Sequence, residues 1–163
     1  MRLALEAIGN GTPQAPAVAS KSAPGPISTP TPVPNDSLHE KDRPLVLYAY
    51  SESKNARFNL EFFINHGLHA QADFVFILNG WTKVASVIPD RPNIRYVQRP
   101  NDCYDLGAYA EVLTKDGLYK KYKKFIMLNA SIRGPFVPYW SEGCWTDMYL
   151  SRITEEVKVR LLN

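Results

Sequence analysis

Phe125-Ile126-Met127-Leu128-Asn129-Ala130-Ser131-Ile132-Arg133-Gly134-Pro135 decides the fold, because an unbroken apolar run ends abruptly in clustered hydrogen-bonding side chains. A strand covered on both faces reads as continuous apolar residues, and in open α/β sheets ligands collect beyond the carboxyl ends of such strands. Asn129, Ser131 and Arg133 follow the run and are candidate binding residues. Asn and Ser are also ordinary turn residues, and Gly-Pro is an ordinary loop signal. Repetition favours the functional reading. Arg99-Pro100-Asn101-Asp102-Cys103-Tyr104-Asp105-Leu106-Gly107 follows a second apolar run and Leu78-Asn79-Gly80-Trp81 ends a third, so several strand ends open toward one expected crevice.

Working back from this stretch, Leu45-Val46-Leu47-Tyr48-Ala49-Tyr50 reads as a first buried strand ending in the polar loop Ser51-Glu52-Ser53. Ala56, Leu60, Phe63 and Ile64 recur at helical spacing before Gly67, which predicts an amphipathic crossover helix. Phe74–Leu78 is the second predicted strand and Ile94–Val97 a shorter third. A second helix is expected to start at Asp105 as N-cap, with Leu106, Tyr109, Ala110 and Leu113 on one face. Gly107, in its first turn, leaves backbone amides open to a phosphate or sugar, or serves packing alone. Phe125–Leu128 is the fourth strand, expected at a central position from its apolar character. The order β-α-β-β-α-β predicts an α/β fold, an open and mainly parallel Rossmann-like sheet with helices on both faces.

The 163 residues suit one folded domain. Residues 1–43 are dominated by Pro, Ala, Ser and Thr and are expected to form a disordered, polyproline-like linker or stem, leaving residues 44–163 as the globular part. A net charge of +3 does not point to nucleic acid, and the cluster Lys120, Lys121, Lys123 and Lys124 reads as a solvated helix end. Leu3–Ile8 is too short for a signal-peptide core or a membrane span. Asn10-Gly11-Thr12 and Asn35-Asp36-Ser37 are glycosylation sequons that suit a luminal stem. Cys103 and Cys144 fit no zinc or redox spacing, and both a bridge and two separate thiols stay open. His39, His66 and His69 form no metal or triad pattern. Phe136, Tyr139, Trp140 and Trp145 form an aromatic stretch that serves either packing or sugar stacking.

Asn101-Asp102-Cys103-Tyr104-Asp105-Leu106-Gly107-Ala108 followed by Leu128-Asn129-Ala130-Ser131-Ile132-Arg133-Gly134-Pro135 resembles the core of GT-A-type glycosyltransferases of the rhamnan-synthesis F kind and their eukaryotic relatives. The resemblance covers roughly Leu45 to Val157. It implies a nucleotide sugar bound across the strand ends, transfer to a hydroxyl of a glycan acceptor, and a place in the Golgi lumen of the secretory pathway. The donor site expected from it comprises Tyr50, Ser51 and Glu52 with Asn79 and Gly80 at the base or ribose, Asp105 and Gly107 near the sugar or diphosphate, and Asn129, Ser131 and Arg133 completing it, with Arg99 and Asn101 as further donor-binding residues.

Many enzymes of this type place an Asp-x-Asp pair at the end of the fourth strand to hold a divalent metal, whereas this chain has Asn129-Ala130-Ser131. The expectation is therefore no metal, with Arg133 neutralising the diphosphate through its fork of donors. Such folds normally continue into a second half that supplies acceptor contacts and the catalytic base. This chain stops at Asn163, so it reads as truncated and its catalytic residues stay unassigned. The alternative reading is a non-catalytic module, derived from such a fold, that binds a nucleotide, a glycan or a partner chain.

Overall fold

The computed structural model describes residues 42–159. The expected disordered segment 1–43 and its two sequons therefore lie, apart from residues 42 and 43, outside the described residues. The described chain runs β1 (Leu45–Ser51), α1 (Lys54–His66), β2 (Asp73–Asn79), a 3-10 turn (Val84–Val87), β3 (Ile94–Arg99), α2 (Tyr104–Thr114), a 3-10 segment (Lys115–Lys121), β4 (Phe125–Asn129) and a short α3 (Trp145–Leu150). The strands form one sheet of order β3-β2-β1-β4, and every pairing is parallel. This is the Rossmann-like α/β arrangement that the alternation of apolar runs and helical periods predicts.

Side chains alternate across β1 and divide the core in two. Val46, Tyr48 and Tyr50 meet Leu60 and Phe63 of α1 and Trp145 of α3 on one face, while Leu45, Leu47 and Ala49 meet Ala108, Tyr109 and Val112 of α2 on the other. The placement of the helices follows from chain direction. The chain moves outward from β1 to β2 and then returns past β1 to β4, and parallel crossovers of one hand demand that a reversal of direction put the helix on the opposite face.

Local chemistry sets the helix ends. Ser53 caps α1, its hydroxyl accepting from the Ala56 amide at 3.1 Å. Gly67 ends α1 as expected, but with φ of −101°. A Cβ there would approach the Phe63 ring at 2.8 Å, so close packing rather than a left-handed turn selects glycine. Trp145 closes the same corner by donating its indole N–H to the Gly67 carbonyl at 2.8 Å.

Two expectations are corrected. The fourth strand is not central: β4 pairs with β1 alone, and β1 and β2 occupy the middle of the sheet among the described residues. An apolar run reports burial of both faces, not hydrogen bonding on both edges, and Phe125 and Ile126 do pack into opposite cores while Met127 is 47% exposed. The second helix is capped two residues earlier than expected. Cys103, in the left-handed region at φ 59°, is its cap and makes no side-chain cap bond, Tyr104 follows at φ 50°, and Asp105 lies inside the first turn. Each left-handed non-glycine residue costs about 1–2 kcal/mol, so the surrounding structure must hold this entry in place.

Gly107 is part of that holding structure. Its amide donates to the Cys103 carbonyl at 3.1 Å, and a Cβ at position 107 would sit 2.4 Å from the Cys103 Cβ. Packing against Cys103, rather than an open amide surface, therefore accounts for the glycine. Gly107→Ala is expected to destabilise the domain by about 1–3 kcal/mol through overpacking. Adding Cys103→Gly, which clears the space and relieves the left-handed residue, is expected to recover most of that loss in thermal unfolding. A double variant no more stable than Gly107→Ala would refute this account of the entry to α2.

Candidate functional site

The strand order places a topological switch point between the carboxyl ends of β1 and β4, where successive connections leave in opposite directions. Crevices of open α/β sheets form at such points. Ser51 ends β1 and Asn129 ends β4, with Asn129 in register with Ala49 and the Ala130 amide donating to the Ala49 carbonyl at 2.9 Å. The end of β4 is held from both faces. From α1, the Asn59 amide group donates to the Ala130 carbonyl at 2.8 Å, and from α2 the Tyr109 hydroxyl donates to the Leu128 carbonyl at 2.6 Å. Burial raises the Tyr109 pKa well above the usual tyrosine value, so this hydroxyl stays protonated as a donor.

A hydrogen-bonded group lies at these strand ends. The Asn129 Nδ2 donates to Asp105 Oδ2 at 2.9 Å, and its Oδ1 accepts from both the amide and the hydroxyl of Ser131. Beside it, Asn101 Nδ2 donates to Ser51 Oγ at 3.2 Å. Five of the residues expected from the sequence, Ser51, Asn101, Asp105, Asn129 and Ser131, thus come to the carboxyl ends of β1 and β4 and the entry to α2. Carboxylate, amide and hydroxyl groups of this kind match the paired donors and acceptors of a polyol.

Arg99 plays a different part from the one expected of a ligand cation. It is buried beneath the loop, and all five of its N–H donors have protein acceptors: Glu111 at 2.8 and 2.6 Å, Asp102 Oδ1 at 2.6 Å, the Asp102 carbonyl at 3.2 Å, and Asn79 Oδ1 at 2.9 Å. These bonds, above all those to Glu111, raise its pKa further and fix its charge. One guanidinium therefore joins the end of β2, the loop before α2 and the middle of α2, and so holds the wall of the crevice. Asn79 is its partner. Gly80, at φ 78°, closes the turn after β2 with its amide on the Arg99 carbonyl at 2.8 Å and its carbonyl on Gln98 Nε2 at 2.9 Å.

Tyr50, Glu52 and Arg133 lie toward the α1 face instead. The Tyr50 ring is fully buried against α1, and burial together with the neighbouring Glu52 carboxylate pushes its pKa up to about 12. Glu52 accepts from the Thr82 hydroxyl, which accepts in turn from the Val84 amide at 3.2 Å. The Arg133 guanidinium stacks on Phe62 of α1, 4.3 Å from the ring centroid, with Phe136 against the same ring. None of the Arg133 hydrogen bonds needed to join the Asn129 group is present among the described residues. The set that reads as one site is divided by strand parity, since Tyr50 and Ser51 are neighbours in sequence but point to opposite faces.

Sequence reasoning missed Asn59, Thr82 and Tyr109 as supports of this edge. Nothing in the helical period of α1 indicates that Asn59 faces the loop after β4. The other aromatic residues also separate: Trp145 is core, whereas Tyr139 and Trp140 are 95% and 70% exposed. Cys103 and Cys144 are both free thiols. Among the described residues no group of three or more His, Cys, Asp or Glu side chains could hold a metal ion, and no helix is long and apolar enough to cross a membrane. Asp102, the carboxylate nearest in sequence to Asp105 on this loop, is committed to Arg99. No protein-family model, curated protein or solved structure compared with this chain matches it.

Proposed function

We propose that this chain is a glycosyltransferase-like domain that binds a nucleotide sugar at the switch point between β1 and β4. The observation that carries the reading is the Asp105–Asn129–Ser131 group, which sets a carboxylate, an amide and a hydroxyl at the crevice of a parallel sheet. Asp105, Asn129 and Ser131 hold hydroxyls of the transferred sugar, and Ser51 and Asn101 hold the ribose or the base side. Arg99 positions the loop without touching the ligand. Arg133, stacked on Phe62, has no part in this site. Transfer to a glycan hydroxyl follows as the reaction class by resemblance, and a luminal location in the secretory pathway goes with it.

A site that grips hydroxyls loses most of its affinity when the sugar is removed, since buried or half-buried polar groups are then left without partners. Titration of nucleoside-diphosphate sugars, the matching nucleoside diphosphates and the free sugars is expected to rank the intact donor first. Manganese is expected to change the donor affinity by less than about threefold, because one crevice carboxylate is a poor protein contribution to a divalent site. Binding seen only with metal would make Asp105 a metal ligand and refute the hydroxyl-binding role given to it. Equal affinity for the donor and for the bare nucleoside diphosphate would refute sugar recognition by this group.

A further inference from the structure

A second cavity, of about 390 Å³, lies against β3 and the trailing end of α2. It shares Arg99 and Pro100 with the loop that walls the proposed sugar site but opens on the other side of it: Asp105 and Tyr109 turn from α2 toward β4, whereas Glu111 and Val112 turn toward this cavity. Its size is within the range of about 300–1,000 Å³ found for small-molecule sites. Val97, Val112 and Leu118 supply an apolar floor. Around them stand Arg95, Lys115 and Lys121, and among the described residues none of the three forms a hydrogen bond or an ion pair with a carboxylate.

The other charged groups lining the cavity do not cancel this excess. Glu111 is bound to Arg99, so that pair is internally neutral, and Asp116 is the one remaining carboxylate. The backbone is bent to produce the arrangement. Asp116 and Gly117 are both left-handed, at φ 54° and 64°, and the turn they form folds the chain back so that Lys115 and Lys121, on either side of it, line the same cavity. Asp116 takes this conformation without being glycine, which costs about 1–3 kcal/mol, and strain of this kind collects at ligand clamps. The three cations come from β3 and from the two ends of the 3-10 segment, so they do not form the solvated end of a single helix.

We propose that this cavity binds a phosphorylated small molecule with a ring-sized apolar body, the phosphate held by Arg95, Lys115 and Lys121 and the body resting on Val97, Val112 and Leu118. Charge-assisted contacts to phosphate supply the specificity, and the floor favours an organic phosphate over the inorganic ion. The inference does not depend on the sugar-site reading, since the two sites share no proposed ligand contact.

Phenyl phosphate, inorganic phosphate and phenol are suitable probes, titrated into the isotopically labelled full chain and followed by nuclear magnetic resonance. Saturable binding of phenyl phosphate is expected, with shifts at Val97, Val112 and Leu118, affinity above that of inorganic phosphate, and loss of affinity as salt is raised. The triple variant Arg95→Gln, Lys115→Gln, Lys121→Gln changes exposed side chains only and is expected to melt within a few degrees of the parent while binding at least about tenfold more weakly. Undiminished binding by the folded triple variant, or shifts centred on Asp105 and Asn129, would overturn the proposal. So would tighter binding of phenol than of phenyl phosphate, or displacement of phenyl phosphate by a short polyglutamate peptide of higher affinity, which would make the surface a docking site for acidic protein segments.

Discussion

Arg99→Ala is expected to destabilise the domain by about 3 kcal/mol, the largest effect of any single substitution among the crevice residues. The side chain is 4% exposed and satisfies all five of its donors inside the protein, so its removal leaves Asn79, Asp102 and Glu111 without their shared partner. Loss of one partner from a buried charged pair typically costs about 3–5 kcal/mol. The lower end applies here because Asp102 and Glu111 are 61% and 55% exposed and regain water when the guanidinium leaves. Arg99→Lys is not expected to rescue it. An ammonium has three donors and no planar fork, and cannot reach Glu111, Asp102 and Asn79 at once. Chemical denaturation of both variants checks this, and a loss below about 1 kcal/mol for Arg99→Ala would mean that the loop before α2 is held by something else.

Asp105→Asn is expected to reverse that pattern, with little change in stability and a large loss of ligand. The Asn129 amide keeps a carbonyl acceptor at position 105, so the crevice hydrogen bond at 2.9 Å survives the substitution. What disappears is the charged acceptor offered to a sugar hydroxyl. Hydrogen bonds to charged groups are worth roughly 1.5–3 kcal/mol, so the affinity for a nucleoside-diphosphate sugar should fall by about ten- to more than a hundredfold. Affinity for the bare nucleoside diphosphate should rise or stay the same, because a negative charge near the phosphates has been removed. Arg133→Ala provides the contrast. It breaks a cation–π contact on the α1 side and should leave both affinities unaltered. Equal losses for Asp105→Asn and Arg133→Ala would place the ligand across both faces of the sheet edge instead.

The legibility of this fold in its sequence differs from element to element. β1 and β2 were readable because two-sided burial leaves unbroken apolar runs, β4 because its run is apolar although Met127 is exposed, and α1 because Leu60 and Phe63 keep a helical period up to a glycine stop. Neighbour relations were not readable in the same way. Phe125–Leu128 is as apolar as a central strand but lies beside β1 alone, since the composition of a strand records its faces and is silent about its edges. The start of α2 failed for a different reason. Asp105 is a good N-cap by type, yet the left-handed pair Cys103 and Tyr104 begins the helix earlier, with Cys103 packed in the space that Gly107 leaves open.

The candidate site was legible as a set of strand ends but not as a geometry. Ser51, Asn101, Asp105, Asn129 and Ser131 converge because each follows a strand or opens a helix on the same edge of the sheet. Tyr50 and Glu52 separate from Ser51 through the alternation of the strand, and Arg133 is drawn toward Phe62 across the loop after β4. Arg99 carries the same charge as a phosphate-binding arginine. Its role was set by Glu111, twelve residues further on, a contact that no local pattern predicts.

The most direct test of the nucleotide-sugar reading is resonance mapping of the full chain during titration with a panel of nucleoside-diphosphate sugars in the absence of metal. Saturable binding of at least one member of the panel is expected, with the largest shifts at Ser51, Asn101, Asp105, Asn129 and Ser131 and none at Arg133. Absence of saturable binding across the panel, or shifts that leave these five residues untouched, would contradict that reading.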